Sequence, residues 1–188
     1  MVYFRALLGE VCVKIDLSKI EGEPVRFDET VRLDADQLDP TRVAGPMEVR
    51  LDGTVRPAGD HYLVAGRAVG RGRLACGRCL EPVDWSTTET FDLEVALLDA
   101  APLESEIVLD ENDLDIVYLD NPALDLEQLA AEQIMLALPM RVLCADDCAG
   151  LCPRCGANRN VDGACRCEPE TDPRWSALGD LTGGAPVD

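Results

Sequence analysis

Histidine is almost missing: His61 is the only one in 188 residues. It stands before an alternating stretch with no acid or nucleophile motif beside it, so general acid–base and covalent catalysis have little to build on. A glycine-rich phosphate loop is absent too, because Gly70-Arg71-Gly72 lacks the strand–loop–helix setting such a loop needs. Two Trp, three Tyr and three Phe are too few rings for a base-stacking platform. No apolar run approaches the ~20 residues of a membrane-spanning helix. The first eleven residues are too short and, with Glu10, too polar for an export signal, so a cytoplasmic location is expected. Basic residues are missing altogether from residues 84–140, where 15 acidic groups fall. With a net charge of −19 the chain should be soluble, repel nucleic acid at long range and attract basic proteins. These absences make a non-enzymatic protein the expectation.

What the sequence does hold is cysteine. Nine thiols, an odd number, argue against a disulfide framework and for metal in a reducing compartment. Cys152-Pro-Arg-Cys155-Gly156 has the spacing that lets two sulfurs reach one ion at ~2.3 Å, with a glycine suited to the turn behind them. Cys165-x-Cys167 offers a second pair across a short loop of turn formers, Asn158, Asn160, Asp162 and Gly163. These four read as a closed, structural zinc site. Cys76 and Cys79 need partners of their own. Cys144 and Cys148 are the one close pair left, and Cys12 is left over, so a second zinc site by elimination is Cys76, Cys79, Cys144 and Cys148. One or two zinc ions are expected. A closed four-cysteine site has no open position at which to activate water.

Two redox alternatives stand beside this reading. Arg78 would favour thiolate in Cys76-Gly77-Arg78-Cys79, as in a thiol oxidoreductase. However, a redox pair usually opens a helix, and Leu80-Glu81-Pro82 follows here. The paired cysteines of the last third also resemble those of chaperones that lose zinc on oxidation. Arginines flank both knuckles: Arg71, Arg73 and Arg78 by the first, Arg154, Arg159 and Arg166 by the second. They either offset thiolate and carboxylate charge or form a patch for RNA phosphates, whose binding would fade as salt rises.

Alternation of apolar and polar residues marks strands at 11–17, 23–33 and 47–56, with Asp52-Gly53 as a turn signal. A long strand over 62–80 should run into the first knuckle, with Arg67, Arg71 and Arg73 on one face and Gly66, Gly70 and Gly72 on the other. Further strands are expected at 87–98, after a break at Pro82, at 106–110 on an edge, and at 115–119. Helical spacing of Leu126, Leu129, Ala130, Ile134, Ala137 and Leu138 predicts a helix at about 125–138. Asp125 would cap it, Gln128 would complete a capping box, and Pro139 would end it. A short helix is expected over 172–181 with Trp175 and Leu178 inward, and a disordered tail at 182–188.

The fold class is therefore α+β, mainly β: a small antiparallel barrel-like sheet with one long helix and a C-terminal zinc-knuckle module. Residues 1–143 would form the β-rich domain and residues 144–181 the cysteine-rich module packed on it.

The strings CGRCLEPV (76–83), DLEQLAAEQIMLALP (125–139), LCADDCAGLCPRCGANRN (143–160) and DPRWSAL (172–178) resemble the YceD family. Those bacterial and plastid proteins are linked to accumulation of large-subunit ribosomal RNA. The resemblance covers roughly residues 60–181. It implies a factor in large-subunit biogenesis that binds this rRNA or a pre-ribosomal particle. It also implies, through gene neighbourhood in the family, a small basic large-subunit ribosomal protein as partner to the acidic stretch. Members of the family that keep only the counterparts of Cys76, Cys79, Cys144 and Cys148, one replaced by His, imply the same division into two sites.

Overall fold

In a computed structural model, residues 13–98, 116–163, 165–167 and 174 are described. Cys12, the edge strand expected at 106–110, the helix at 172–181 apart from Arg174, and the tail at 182–188 lie outside them. The order is β1 (Lys14–Asp16), a 3-10 turn (Leu17–Lys19), β2 (Val25–Leu33), a second 3-10 turn (Ala35–Gln37), β3 (Met47–Ala58), β4 (His61–Ala75), β5 (Pro82–Leu97), β6 (Ile116–Leu119), β7 (Ala123–Asp125) and α1 (Leu126–Ala137). The second turn lies just before the loop expected from residue 38. The short β1 pairs antiparallel with β7, and five strands form one open, curled sheet in the order β2-β3-β4-β5-β6. Strands β2 to β5 run antiparallel. β6 is a correction to the all-antiparallel expectation, since it lies parallel to β5.

Period-2 alternation decides which face of the sheet is covered. Phe27, Val31 and Leu33 of β2, Met47, Val49, Leu51 and Val55 of β3, Val64, Ala68 and Leu74 of β4, and Phe91 and Val95 of β5 form a single core on the inner face. Three glycines on that face of β4 are points of close approach. A Cβ on Gly66 would meet the Phe91 ring at 2.8 Å, one on Gly70 would meet Ile134 Cδ1 at 2.4 Å, and one on Gly72 would meet Met47 Cγ at 2.6 Å.

Two expected breaks are not there. Asp52-Gly53 is no turn: β3 runs straight through it, and Gly53 is small because Phe27 Cζ would stand 2.6 Å from a Cβ there. The hairpin turn falls instead at Gly59-Asp60, where Ala58 pairs with His61. Pro82 does not precede a break either; it opens β5, opposite Ala75. In turn, β4 stops at Ala75 rather than Leu80, because the chain folds at Cys76 into a knuckle.

Helix α1 covers the inner face with Leu126, Leu129, Ala130 and Ile134. Asp125 caps it, accepting from the N–H groups of Glu127 at 3.0 Å and Gln128 at 3.2 Å. The capping box is not completed. The Gln128 amide turns along the helix to donate to Glu132 Oε1 at 2.9 Å.

Candidate metal centres

Each Cys-x-x-Cys pair sits on the same local turn. In the first, Cys76 N–H donates to Glu81 O at 2.9 Å and Leu80 N–H donates to Cys76 O at 3.0 Å. In the second, Cys152 N–H donates to Ala157 O at 2.8 Å and Gly156 N–H donates to Cys152 O at 2.9 Å. Both turns need a left-handed residue after the second cysteine. Gly156 has φ 73°, and Leu80 holds φ 63° at the matching position. That conformation is free of cost for glycine and costs a branched side chain about 1–2 kcal/mol.

The turns gather sulfurs. Cys76, Cys79, Cys144 and Cys148 form one group, and Cys152, Cys155, Cys165 and Cys167 a second, each with its sulfurs within 4.8 Å of one another. In the first group Cys76 Sγ lies 3.8 Å from Cys148 Sγ, and Cys79 Sγ lies 3.6 Å from Cys144 Sγ. Four ligands at ~2.3 Å from a common ion lie about 3.8 Å apart in a regular tetrahedron, so the group fits a tetrahedral metal. The two groups are the ones that spacing and elimination predict, and each could hold a metal ion.

Strand and helix supply the first group from opposite sides. β4 ends just before Cys76, while α1 gives way at Leu138 and passes the chain on to Cys144 and Cys148. Gly77 N–H donates to Val142 O at 2.8 Å, tying the knuckle to the segment after the helix. Cys76, Cys79 and Cys148 are buried and Cys144 is exposed; in the second group only Cys152 is buried. Val83, Leu143 and Leu151 pack around the first group.

The sulfurs are poised unevenly. Burial opposes ionisation of Cys76, but backbone N–H donors from Cys79, Arg78 and Cys144 outweigh it and bring its thiol down to about 6. The Cys148 and Cys79 sulfurs beside Cys144 push that thiol up to about 12. In the second group the Cys155 N–H, then the Cys165 side chain and the Arg154 N–H, lower Cys152 to about 5. The Cys155 and Cys165 sulfurs raise Cys167 to about 12. A bound cation would favour the thiolate form of all four sulfurs in each group, so metal uptake would release protons.

The six flagged arginines fall in different surroundings. Arg71 and Arg73 are exposed on the outer face of β4, lining a groove of about 600 Å³ with Glu48, Asp84, Trp85 and Ser86. Arg78 is exposed but engaged, donating to Cys148 O at 2.9 Å and Asp146 O at 3.3 Å. Arg159 sits by the second group, where hydrogen bonding to Cys152 raises its pKa. Arg154 and Arg166 are exposed on the surface of that same knuckle, and Arg154 is engaged there by a neighbour. Residue-level reading missed Arg26, Arg32 and Arg56, which alternate onto the same outer sheet face and are exposed. Parity along β2 and β3 carried that signal. Arg50 and Arg67 share the face but are held by Asp28 at 2.7 Å and Asp52 at 3.0 Å.

Comparison with known proteins finds similarity over the stretch that holds both groups. The family model described as large ribosomal RNA subunit accumulation protein YceD matches residues 64–182, from β4 through both cysteine groups. A protein of Mycobacterium tuberculosis (strain ATCC 25618 / H37Rv) is 32% identical over 139 residues, covering 71% of this chain and 61% of its own length. A Mycobacterium leprae protein is 29% identical over 133 residues, covering 71% of this chain and 58% of its own. The maize protein named large ribosomal RNA subunit accumulation protein YCED homolog 1, chloroplastic, is 29% identical over 157 residues, covering 70% of this chain and 47% of its own. The chain thus spans about three fifths of the length of its mycobacterial relatives and about half that of the maize protein. No solved structure matches. With the family's model matched over more than half its length, this chain belongs to the YceD family.

Proposed function

We propose that this chain is a non-enzymatic factor in accumulation of large-subunit ribosomal RNA, held in shape by zinc and acting in the cytoplasm. The observation that carries the reading is the family match across both cysteine groups, together with the maize relative's name. Four thiolates in a tetrahedron favour zinc or iron–sulfur chemistry over harder ions. Sulfurs close enough to share a single ion, on two separate knuckles, favour zinc.

RNA contact is assigned to the arginines. Arg71 and Arg73 stand two residues apart on one strand face, a step of ~6.7 Å, which suits successive phosphates on one strand. Arg26, Arg32 and Arg56 extend the same face across β2 and β3, where they stand among the carboxylates Glu48, Asp84 and Asp92. Arg154 and Arg166 add exposed cations on the second knuckle, while Arg78 and Arg159 serve RNA less directly because sulfur and carbonyl groups engage them. With few aromatic rings, binding is to backbone and falls with salt. The acidic stretch of residues 84–140, with exposed Glu132 of α1 in it, is assigned to a basic large-subunit ribosomal protein by charge complementarity.

The experiment is capture of tagged protein from its own cells, reading RNA and protein against a mock bait. Large-subunit rRNA should be enriched, lost as salt rises, and lost in Arg71→Glu/Arg73→Glu with the fold unchanged. Equal recovery from that variant removes the sheet face from the account. A second reading, a chaperone that ejects zinc on oxidation, is favoured by exposed Cys155 in the less buried knuckle. Peroxide would then release zinc and switch on suppression of aggregation.

A further inference from the structure

Three consecutive residues in the loop between Cys155 and Cys165 touch both cysteine groups. Asn158 Nδ2 donates to Glu81 Oε1 at 3.2 Å, beside the first knuckle. The Arg159 side chain is hydrogen-bonded to Cys152 and, more weakly, to Cys165, in the second group. Asn160 Nδ2 donates to Cys148 Sγ at 3.4 Å, in the first group. Two further bonds fix the Asn160 side chain, since its Oδ1 accepts from Ala149 N–H at 2.8 Å and Nδ2 also donates to Asn158 Oδ1 at 2.9 Å. The backbone repeats the link, with Leu151 N–H donating to Arg78 O at 3.0 Å and Arg159 N–H to Gly150 O at 2.9 Å. Gly150, at φ 72°, lets the segments meet, since a Cβ there would stand 3.0 Å from Arg78 O.

We infer that Asn160 couples the two centres, so that zinc in the second tightens zinc in the first, and the reverse. The inference rests on the zinc reading above. An ion in the second centre would tie the ends of the loop, Cys155 and Cys165, together, adding to the backbone bonds that hold its middle. With that tie the loop of about ten residues has less freedom to lose in holding Asn160 against Cys148, and without it the ordering cost weakens the support of the thiolate. Filling the second centre meets the cost in advance. Linkage makes the effect reciprocal. A donor to a ligand sulfur orients the ligand and favours its thiolate form; loss of such a partner typically costs about 10–100-fold in metal affinity. Asn160 is a positioning residue here, acting through Cys148.

The test uses the full chain and a zinc-buffering chelator series, with occupancy read by native mass spectrometry. Wild type is compared with Cys155→Ser/Cys167→Ser, Asn160→Ala, Asn160→Asp and the triple variant Cys155→Ser/Cys167→Ser/Asn160→Ala. Removing the second centre should weaken zinc at the first about 10-fold, and Asn160→Ala should weaken it by a similar factor. The triple variant should be no weaker than either alone. Asn160→Asp keeps the acceptor for Ala149 N–H but loses the donor to Cys148, so it should fall at least as far as Asn160→Ala. Unchanged first-centre affinity in Asn160→Ala and Asn160→Asp overturns the coupling, as does a triple variant whose losses multiply. Asn160→Asp behaving as wild type while Asn160→Ala falls would reduce Asn160 to a loop-fixing role and also overturn it. Wild-type protein that takes up no zinc at all would instead overturn the zinc reading beneath it.

Discussion

Adding one methyl group at Gly70 should unseat helix α1, and the cost can be worked from two atoms. The new Cβ would lie 2.4 Å from Cδ1 of the fully buried Ile134 and 3.6 Å from its Cγ1, an ordinary contact. Overpacking of this kind costs about 1–3 kcal/mol. Restricting the unfolded chain by Gly→Ala returns about 0.4–1 kcal/mol. Gly70→Ala should therefore lose roughly 1–2 kcal/mol. Ile134→Val deletes the one clashing carbon and alone costs about 0.5–1.5 kcal/mol. In the double variant the added methyl occupies the space Cδ1 has left, so its loss should fall short of the sum by about 1 kcal/mol or more. Urea unfolding of metal-loaded wild type, both single variants and the double variant, followed by circular dichroism, measures the cycle. Additive losses would refute the claim that α1 reaches the sheet through this gap.

Other substitutions probe the caps, the turns and the centres. Asp125→Ala removes the side chain that accepts two N–H groups at the start of α1 and should cost about 1 kcal/mol in the same unfolding assay. Gly156→Ala puts a Cβ in open space, but at φ 73°; it should cost about 1 kcal/mol from strain alone, whereas Leu80→Gly should cost nothing, and an equal loss in both would discard the shared-turn argument. Cys79→Ser should remove one zinc per chain and lower the unfolding midpoint more than Cys152→Ser, because only the first group joins β4 to the segment after α1; metal analysis and thermal unfolding give the two readouts.

Local chemistry was legible in the sequence wherever one residue determined it. The Asp125 cap, the stop at Pro139 and the pairing of thiols by spacing all stand in the structure. What sequence could not supply was the neighbour across space. Gly53 resembles a turn residue until Phe27 is seen lying against it. Gln128 has the spacing of a capping box, but Glu132 one turn on is a better partner. The parallel pairing of β6 depends on a connection through residues 99–115, where no local pattern states direction. Asn158 and Asn160 read as turn formers, which they are, yet their side chains also reach Glu81 and Cys148, 77 and 12 residues away in sequence. Arginines near a knuckle could not be divided by spacing into those facing solvent and those turned toward sulfur or carbonyl groups.

The most direct test of the central claim is the ratio of large- to small-subunit rRNA in cells depleted of this protein, measured in total RNA during steady growth. The account predicts a fall in the ratio, restored by the wild-type chain and not by Arg71→Glu/Arg73→Glu expressed at the same level. A ratio that stays unchanged on depletion would contradict it.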